Sequence, residues 1–226
     1  MELPPISAIR QFDTSRLIPS RFAENENSVL LGIADNDRHL SELFELDNAT
    51  NQRLIAELGG LSGIGTEELV FGIPNFRIIN AAFTYPRPEG SRFNDGERGA
   101  WYCAFAIETA VEEIIFHKTI EYAEINRFND SVTYQEFLAD FNASFHDLRV
   151  DANHKDCLNP SSYVKSQNLA LRLLVAESLG LIYPSVRHAG GTNLVCFRPA
   201  LVGNVRKGKV VNLAWSGQPR PTVQLN

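Results

Sequence analysis

The stretch GSRFNDGERGAWYCAFAIETAVEEIIFHK, residues 90–118, changes texture twice. Gly, Ser, Asn and Asp crowd its first half and mark a turn, because these residues tolerate or cap the tight backbone that turns need. Trp101–Ala106 is an unbroken apolar run of strand length. From Ile107 to Tyr122 the spacing becomes helical, with Ala110, Ile114 and Phe116-His117 on one face. Turn, strand and helix in that order put Arg92 on a glycine-flanked turn, Tyr102 on the strand and Glu113 on the helix, at intervals of ten and eleven residues.

Toward the C-terminus, Gln135, Phe137, Ala139, Phe141, Ala143 and Phe145 alternate with mostly polar residues, the period of two of a half-buried strand. Residues 162–179 predict a helix with Val164, Ala170-Leu171, Leu174-Val175 and Leu179 inward, stopped by Gly180. Short strands follow at 181–183, 194–198 and 209–213, and residues 217–226 read as loop. Toward the N-terminus, Arg77–Tyr85 reads as a strand. The Gly-rich segment 59–68 lacks a Lys-Ser/Thr ending and a preceding strand, so it reads as a helix-ending loop rather than a phosphate loop. Residues 36–45 and 50–58 read as two short helices opened by Asn, Asp or Thr, and residues 1–30 as irregular. Strands and helices do not alternate, so the expected class is α+β, with a helical extension over 1–70 in the same globular unit as 71–226.

Composition narrows the function classes. With 226 residues, 44% hydrophobic and 21% charged, the chain can bury a sizeable core. A net charge of −6 with no basic run argues against direct nucleic-acid binding, which needs clustered Lys and Arg. No apolar stretch approaches the length of a membrane helix, and MELPPISAIRQFD lacks the plan of a signal peptide, so a cytoplasmic location is expected. Cys103, Cys157 and Cys196 have no metal-ligand spacing and read as small buried side chains. His39, His117, His146, His154 and His188 are scattered, and no metal is expected.

A second chemically rich segment runs from 162 to 197, with Ser185 and Arg187 just after a strand and Asn193 before the next. Together the two segments suit an anionic ligand with an aromatic part. A turn arginine forks onto phosphate oxygens. A tyrosine offers a flat face and a hydroxyl. A glutamate holds ribose hydroxyls and stabilises positive charge growing on a sugar ring. A dinucleotide such as NAD fits, and the missing Rossmann glycine fingerprint argues against a hydride carrier. A turn arginine and a cleft-facing glutamate are expected to contribute little to the core.

The ordered pattern Arg-Phe-Asn, Gly-x-x-Tyr, Glu-Thr-Ala-x-x-Glu, then Tyr-x-x-Ser-Gln and Tyr-Pro-Ser-x-Arg resembles the RES domain over about residues 71–200. The resemblance implies an ADP-ribosyltransferase-like fold, a bent, split β-sheet with helices around an NAD-sized cleft. It implies a toxin of a bacterial toxin–antitoxin pair that destroys NAD, held by an antitoxin with an Xre-like DNA-binding region. The family's arginine falls on Arg92, its tyrosine on Tyr102, its glutamate on Glu113 and its serine on Ser185, with Arg187 and Asn193 as further substrate contacts. Glu108 and Glu112 are neighbours that a looser alignment selects, so the choice between Glu112 and Glu113 stays open. NAD is then the substrate rather than a cofactor, and water, inorganic phosphate or a protein side chain accepts the ADP-ribose. The alternative reading is a protein ADP-ribosyltransferase acting on a host target, and a homodimer and a toxin–antitoxin hetero-oligomer both remain open.

Overall fold

The longest strand, Asn129–Asp147, organises the molecule; in chain order it is β3. In this computed structural model residues 2–23 and 63–226 are described, so the helices expected at 36–45 and 50–58 lie outside the described residues. β1 (Ile6–Pro19) runs antiparallel along one edge of β3, from Ile6 opposite His146 to Pro19 opposite Tyr134. β6 (Gly203–Ser216) lies antiparallel along the other edge, and β7 (Thr222–Leu225) pairs with β6. Where β6 stops, β4 (Gly180–Pro184) joins β3 in parallel at His146 and Asp147. β4 pairs with β5 (Thr192–Cys196), β5 with β2 (Trp101–Ala104), and β2 touches β1 at Ser15 opposite Ala104. The seven-stranded sheet therefore bends until five of its strands form a ring, with β6 and β7 splayed from it. Register shifts at Gln11/Thr14, Gln135/Phe137 and Leu138/Asp140 supply the bend, as bulges increase local twist. Asp13 takes φ 54° at the first of them, a conformation that aspartate tolerates better than most residues.

After α1 (Ser20–Ala23), a single turn, three further helices among the described residues cover the sheet. α2 (Phe76–Thr84) buries Phe76, Ile79 and Phe83, the last two in one cluster with Trp101, Phe137 and Phe141. α3 (Ile107–Glu124) buries Val111, Ile115 and Tyr122 against Tyr134, Leu213 and Trp215. α4 (Val164–Val175) buries Leu169, Ala170 and Leu173 against Phe93, Leu181 and Phe197. Phe137 and Phe145 are fully enclosed, and truncating either to Ala is worth about 3–5 kcal/mol.

The α+β class holds, with three local corrections. Arg77–Tyr85 is helix α2 rather than a strand: the β-branched pair Ile78-Ile79 suggested a strand, but Phe76, Ile79 and Phe83 recur at helical steps on one buried face. The N-terminal residues expected to be irregular, within a helical extension, instead hold β1, a half-exposed strand whose fully buried residues, Thr14 and Ser15, are polar. The tail expected to be loop adds β7, which is exposed along its whole length.

Candidate active site

The ring of strands, α3 and the 155–163 segment enclose a cleft of about 950 Å³. Its sequence-expected residues arrive on separate elements. Gly90, at φ 72°, opens the turn, and a Cβ there would meet the Asn94 carbonyl oxygen at 2.3 Å. That close approach closes the Ser91–Asn94 turn, with the Ser91 N–H donating to Asn94 O at 2.9 Å. Arg92 points from the turn into the cleft. It is buried rather than solvated: its guanidinium donates to the carbonyls of Asn159 (2.7 Å) and Cys157 (3.3 Å) and lies 4.6 Å over the Tyr163 ring. The expectation that this arginine adds little to the fold is thus corrected.

Tyr102 faces the cleft from β2, but its hydroxyl is committed to the same turn. It accepts the Phe93 N–H (2.9 Å) and donates to Asn94 Oδ1 (2.8 Å). Burial pushes its pKa above the ordinary tyrosine value, so the phenol stays protonated. What it presents to a ligand is its ring.

Glu113 lies on the cleft face of α3, and one of its oxygens is fixed twice. Ser185 Oγ donates to Oε1 at 2.7 Å and Asn193 Nδ2 donates to the same atom at 2.8 Å. Among the described residues no group donates to Oε2. Glu112, one residue away, points elsewhere and pairs with Arg220 of the C-terminal tail. Helical geometry alone separates two adjacent glutamates by about 100° around the axis. The structure therefore puts Glu113, and not Glu112, in the cleft.

Ser185 follows β4 and shapes its own loop. Its hydroxyl accepts the N–H groups of Arg187 (3.1 Å) and His188 (3.0 Å) while its own N–H donates to Gly191 O (2.8 Å). Thr109 Oγ1 and His188 Nδ1, 2.8 Å apart, tie the loop to α3 one turn before Glu113. Arg187 sits 3.3 Å over the Phe116 ring, donates to Pro160 O and lines the cleft. Arg92, Tyr102, Glu113, Arg187 and Asn193 thus line one cavity, and Ser185 reaches it through Glu113.

Sequence reading missed Arg16, Arg87, His117, Tyr163 and Tyr183, which also line the cleft. Arg16 projects from β1, lies 4.8 Å over Trp101 and donates to the Tyr102 carbonyl at 3.0 Å. Burial lowers its pKa to about 10, which leaves it charged at neutral pH. The missed signal was β1 itself. The His117 pKa is lowered by burial and then by Arg87, with Arg187 and Arg92 adding to this and Glu113 opposing it. Four arginines face two glutamates in the cleft of a chain whose net charge is −6, so the site is a local anion trap.

Cys103, Cys157 and Cys196 are buried, and burial pushes the thiols of Cys103 and Cys196 up to about 12. Among the described residues no cluster of three or more His, Cys, Asp or Glu could hold a metal ion, and no helix is long and apolar enough to cross a membrane.

Uncharacterized protein y4oC of Sinorhizobium fredii (strain NBRC 101917 / NGR234) is 38% identical over 96 residues, 42% of this chain and 39% of that protein. The chain thus matches well under half the length of that curated relative. A chain in the crystal structure of the M. tuberculosis MbcT-MbcA toxin-antitoxin complex is similar with a TM-score of 0.43 at 15% identity, covering 57% of this chain and 74% of that one. The RES domain model matches residues 69–216, a span that takes in α2, α3, α4 and every sequence-expected cleft residue, and the chain belongs to the RES domain family.

Proposed function

We propose that the cleft binds NAD and breaks its nicotinamide–ribose bond, and that the chain is the toxin of a toxin–antitoxin pair that depletes cellular NAD. The observation that carries this reading is the Glu113 carboxylate, anchored through Oε1 and open at Oε2, in a cleft where arginines outnumber acids. Nicotinamide leaves as a neutral base from a cationic ring, so no acid is needed. The positive charge passes to the ribose, where a fixed carboxylate stabilises it without reorganising. Ser185 and Asn193 hold Glu113 in that pose. Arg92, with Arg16 and Arg187 near it, holds the pyrophosphate, and the Tyr102 ring packs against ribose or nicotinamide. The C–N bond breaks with its electron pair on nicotinamide. Water then gives ADP-ribose and a proton, or inorganic phosphate gives phosphorylated ADP-ribose.

The ADP-ribosyltransferase-like arrangement belongs to this proposal. The bent sheet, with five of its strands in a ring, supports it. The toxin reading rests on membership of the RES family. It brings an antitoxin with an Xre-like DNA-binding region as partner, since a chain of charge −6 leaves DNA contacts to that partner's basic surface.

Purified protein incubated with NAD, with and without phosphate, is expected to release nicotinamide together with one of the two ADP-ribose products. Intact NAD after hours, with the protein's melting temperature still raised by NAD, would leave a binding module instead. In cells, induced expression is expected to stop growth while total NAD falls. Growth arrest at constant NAD, with labelled ADP-ribose on a protein band, would favour protein ADP-ribosylation.

A further inference from the structure

We propose that His117 is the base that takes the proton from water as it attacks the ribose of NAD. The assignment rests on the NAD-cleaving reading above and deepens it. His117 follows Glu113 by one helical turn on α3, and residues four apart share a face with about 5–6 Å between their Cβ atoms. Both line the cleft, so the carboxylate that steadies the ribose and the imidazole flank the same volume. Among the described residues neither ring nitrogen has a hydrogen-bond partner; the ring's contact is edge-on with Phe116, at 5.4 Å between centroids.

The groups facing His117 come from four places: Arg87 after α2, Arg92 on the turn before β2, Arg187 on the loop after β4, and Glu113 on its own helix. Burial and the three arginines outweigh the glutamate, so the imidazole stays neutral at physiological pH with a nitrogen lone pair available. A base must be unprotonated and within reach of the water, and the other cleft residues do not supply one. A guanidinium is too weak a base for the task, and burial keeps the Tyr102 and Tyr183 phenols protonated. Glu89 is exposed to solvent, and Glu113 is engaged with the ribose. The step balances as follows. The water oxygen bonds to the ribose carbon as the C–N bond to nicotinamide breaks with its electron pair on nitrogen. The water proton passes to the free His117 nitrogen, and the imidazolium gives it to solvent.

An anionic nucleophile has no proton to lose, and this supplies the test. Nicotinamide release is measured in phosphate-free buffer, with and without sodium azide, for the wild type, His117→Ala and His117→Asn. Both variants are expected to lose about a hundredfold in the water reaction, a common worth for a positioned base. With azide they are expected to form the ribosyl azide within about threefold of the wild-type rate, because binding and Glu113 are untouched. The wild-type water reaction is expected to fall as acid protonates His117, and the variants to lose that limb. Equal losses with water and azide, or an undiminished water reaction, would overturn the assignment. Release only when phosphate is added would also overturn the assignment of a water-activating base, whereas a wild type that releases no nicotinamide with water, azide or phosphate would remove the NAD reading itself.

Discussion

Glu113 and Arg92 face one cleft from walls that are built differently. On the α3 wall, side chain holds side chain: Ser185 and Asn193 both donate to Glu113, and the surrounding scaffold makes no demand on the carboxylate. On the wall of the 91–94 turn, side chain holds backbone. Arg92 satisfies the carbonyls of Cys157 and Asn159, the Tyr102 hydroxyl accepts the Phe93 N–H, and Gln167 Nε2 donates to the carbonyls of Glu89, Ser91 and Asn94. The first wall separates chemistry from stability, whereas the second uses the same atoms for both.

The sharpest way to break this contrast is Glu113→Gln. Volume and anchoring partners persist while the charge goes, and a charge interaction lost in a shielded site is worth about 3 kcal/mol, roughly a hundredfold in rate. NAD turnover is expected to fall by that factor, with NAD binding within a few-fold and an unchanged melting temperature. Glu112→Gln, whose wild-type carboxylate pairs with the exposed Arg220, is the matched control and is expected to keep wild-type turnover. Inverted results for the pair would show the carboxylate to be misassigned.

Arg92→Ala probes the other wall and is expected to lower three quantities together. It removes a phosphate ligand, so NAD binding and turnover both weaken, by about tenfold for one lost charge-assisted contact. It also leaves the Cys157 and Asn159 carbonyls without their donor, at about 1–3 kcal/mol of stability. A denaturant titration reads this as a lower midpoint with an unchanged slope. A variant with full stability and lost binding would make the two walls alike.

How much of this was legible depends on where the information sits. α3 and α4 announce themselves through helical spacing and β3 through a period of two. Val164, Leu171 and Val175, expected to face inward on α4, are nevertheless exposed, because the buried face is that of Leu169, Ala170 and Leu173. Arg92, Tyr102, Glu113 and Ser185 are picked out by the resemblance to the RES domain. The choice of Glu113 over Glu112 needed the rotation of α3 against the sheet, which a sequence does not fix. β1 was hidden because Arg10, Gln11, Asp13, Ser15 and Arg16 interrupt its apolar pattern, and its register comes from β3, more than a hundred residues away. Missing β1 meant missing Arg16. α2 misled through Ile78-Ile79, where tertiary burial overrode local β preference.

A smaller effect is expected at Ser185→Ala. Asn193 still anchors Glu113 Oε1, so the carboxylate keeps one of two donors and turnover is expected to fall by about tenfold, in line with one hydrogen bond to a charged group. In Glu113→Gln the serine has little left to orient, so the double variant is expected to be no slower than Glu113→Gln alone. Additive losses would mean that Ser185 touches the substrate independently.

The least effect on chemistry is expected where neither wall is involved. Glu68, in the short 3-10 turn Thr66–Glu68, accepts both Arg98 nitrogens (2.7 and 2.6 Å) and Arg198 (3.0 Å), while Arg98 also donates to the carbonyls of Gly63 and Phe197. The Arg98 hydrogen bonds above all hold its pKa at about 2, below the ordinary 4.5. A carboxylate with a depressed folded-state pKa stabilises the fold above its unfolded value and loses that contribution as pH falls toward the folded one. Solvent screening of a partly exposed pair limits this to about 1 kcal/mol. Glu68→Gln is therefore expected to lower the denaturation midpoint at pH 7 while NAD turnover stays at the wild-type level. The gap in midpoint should close between pH 4.5 and about 2, as the wild type loses its own charge there. A gap that persisted at pH 2 would mean that packing around the Thr66–Glu68 turn, rather than the ion pair, fastens this segment to β5.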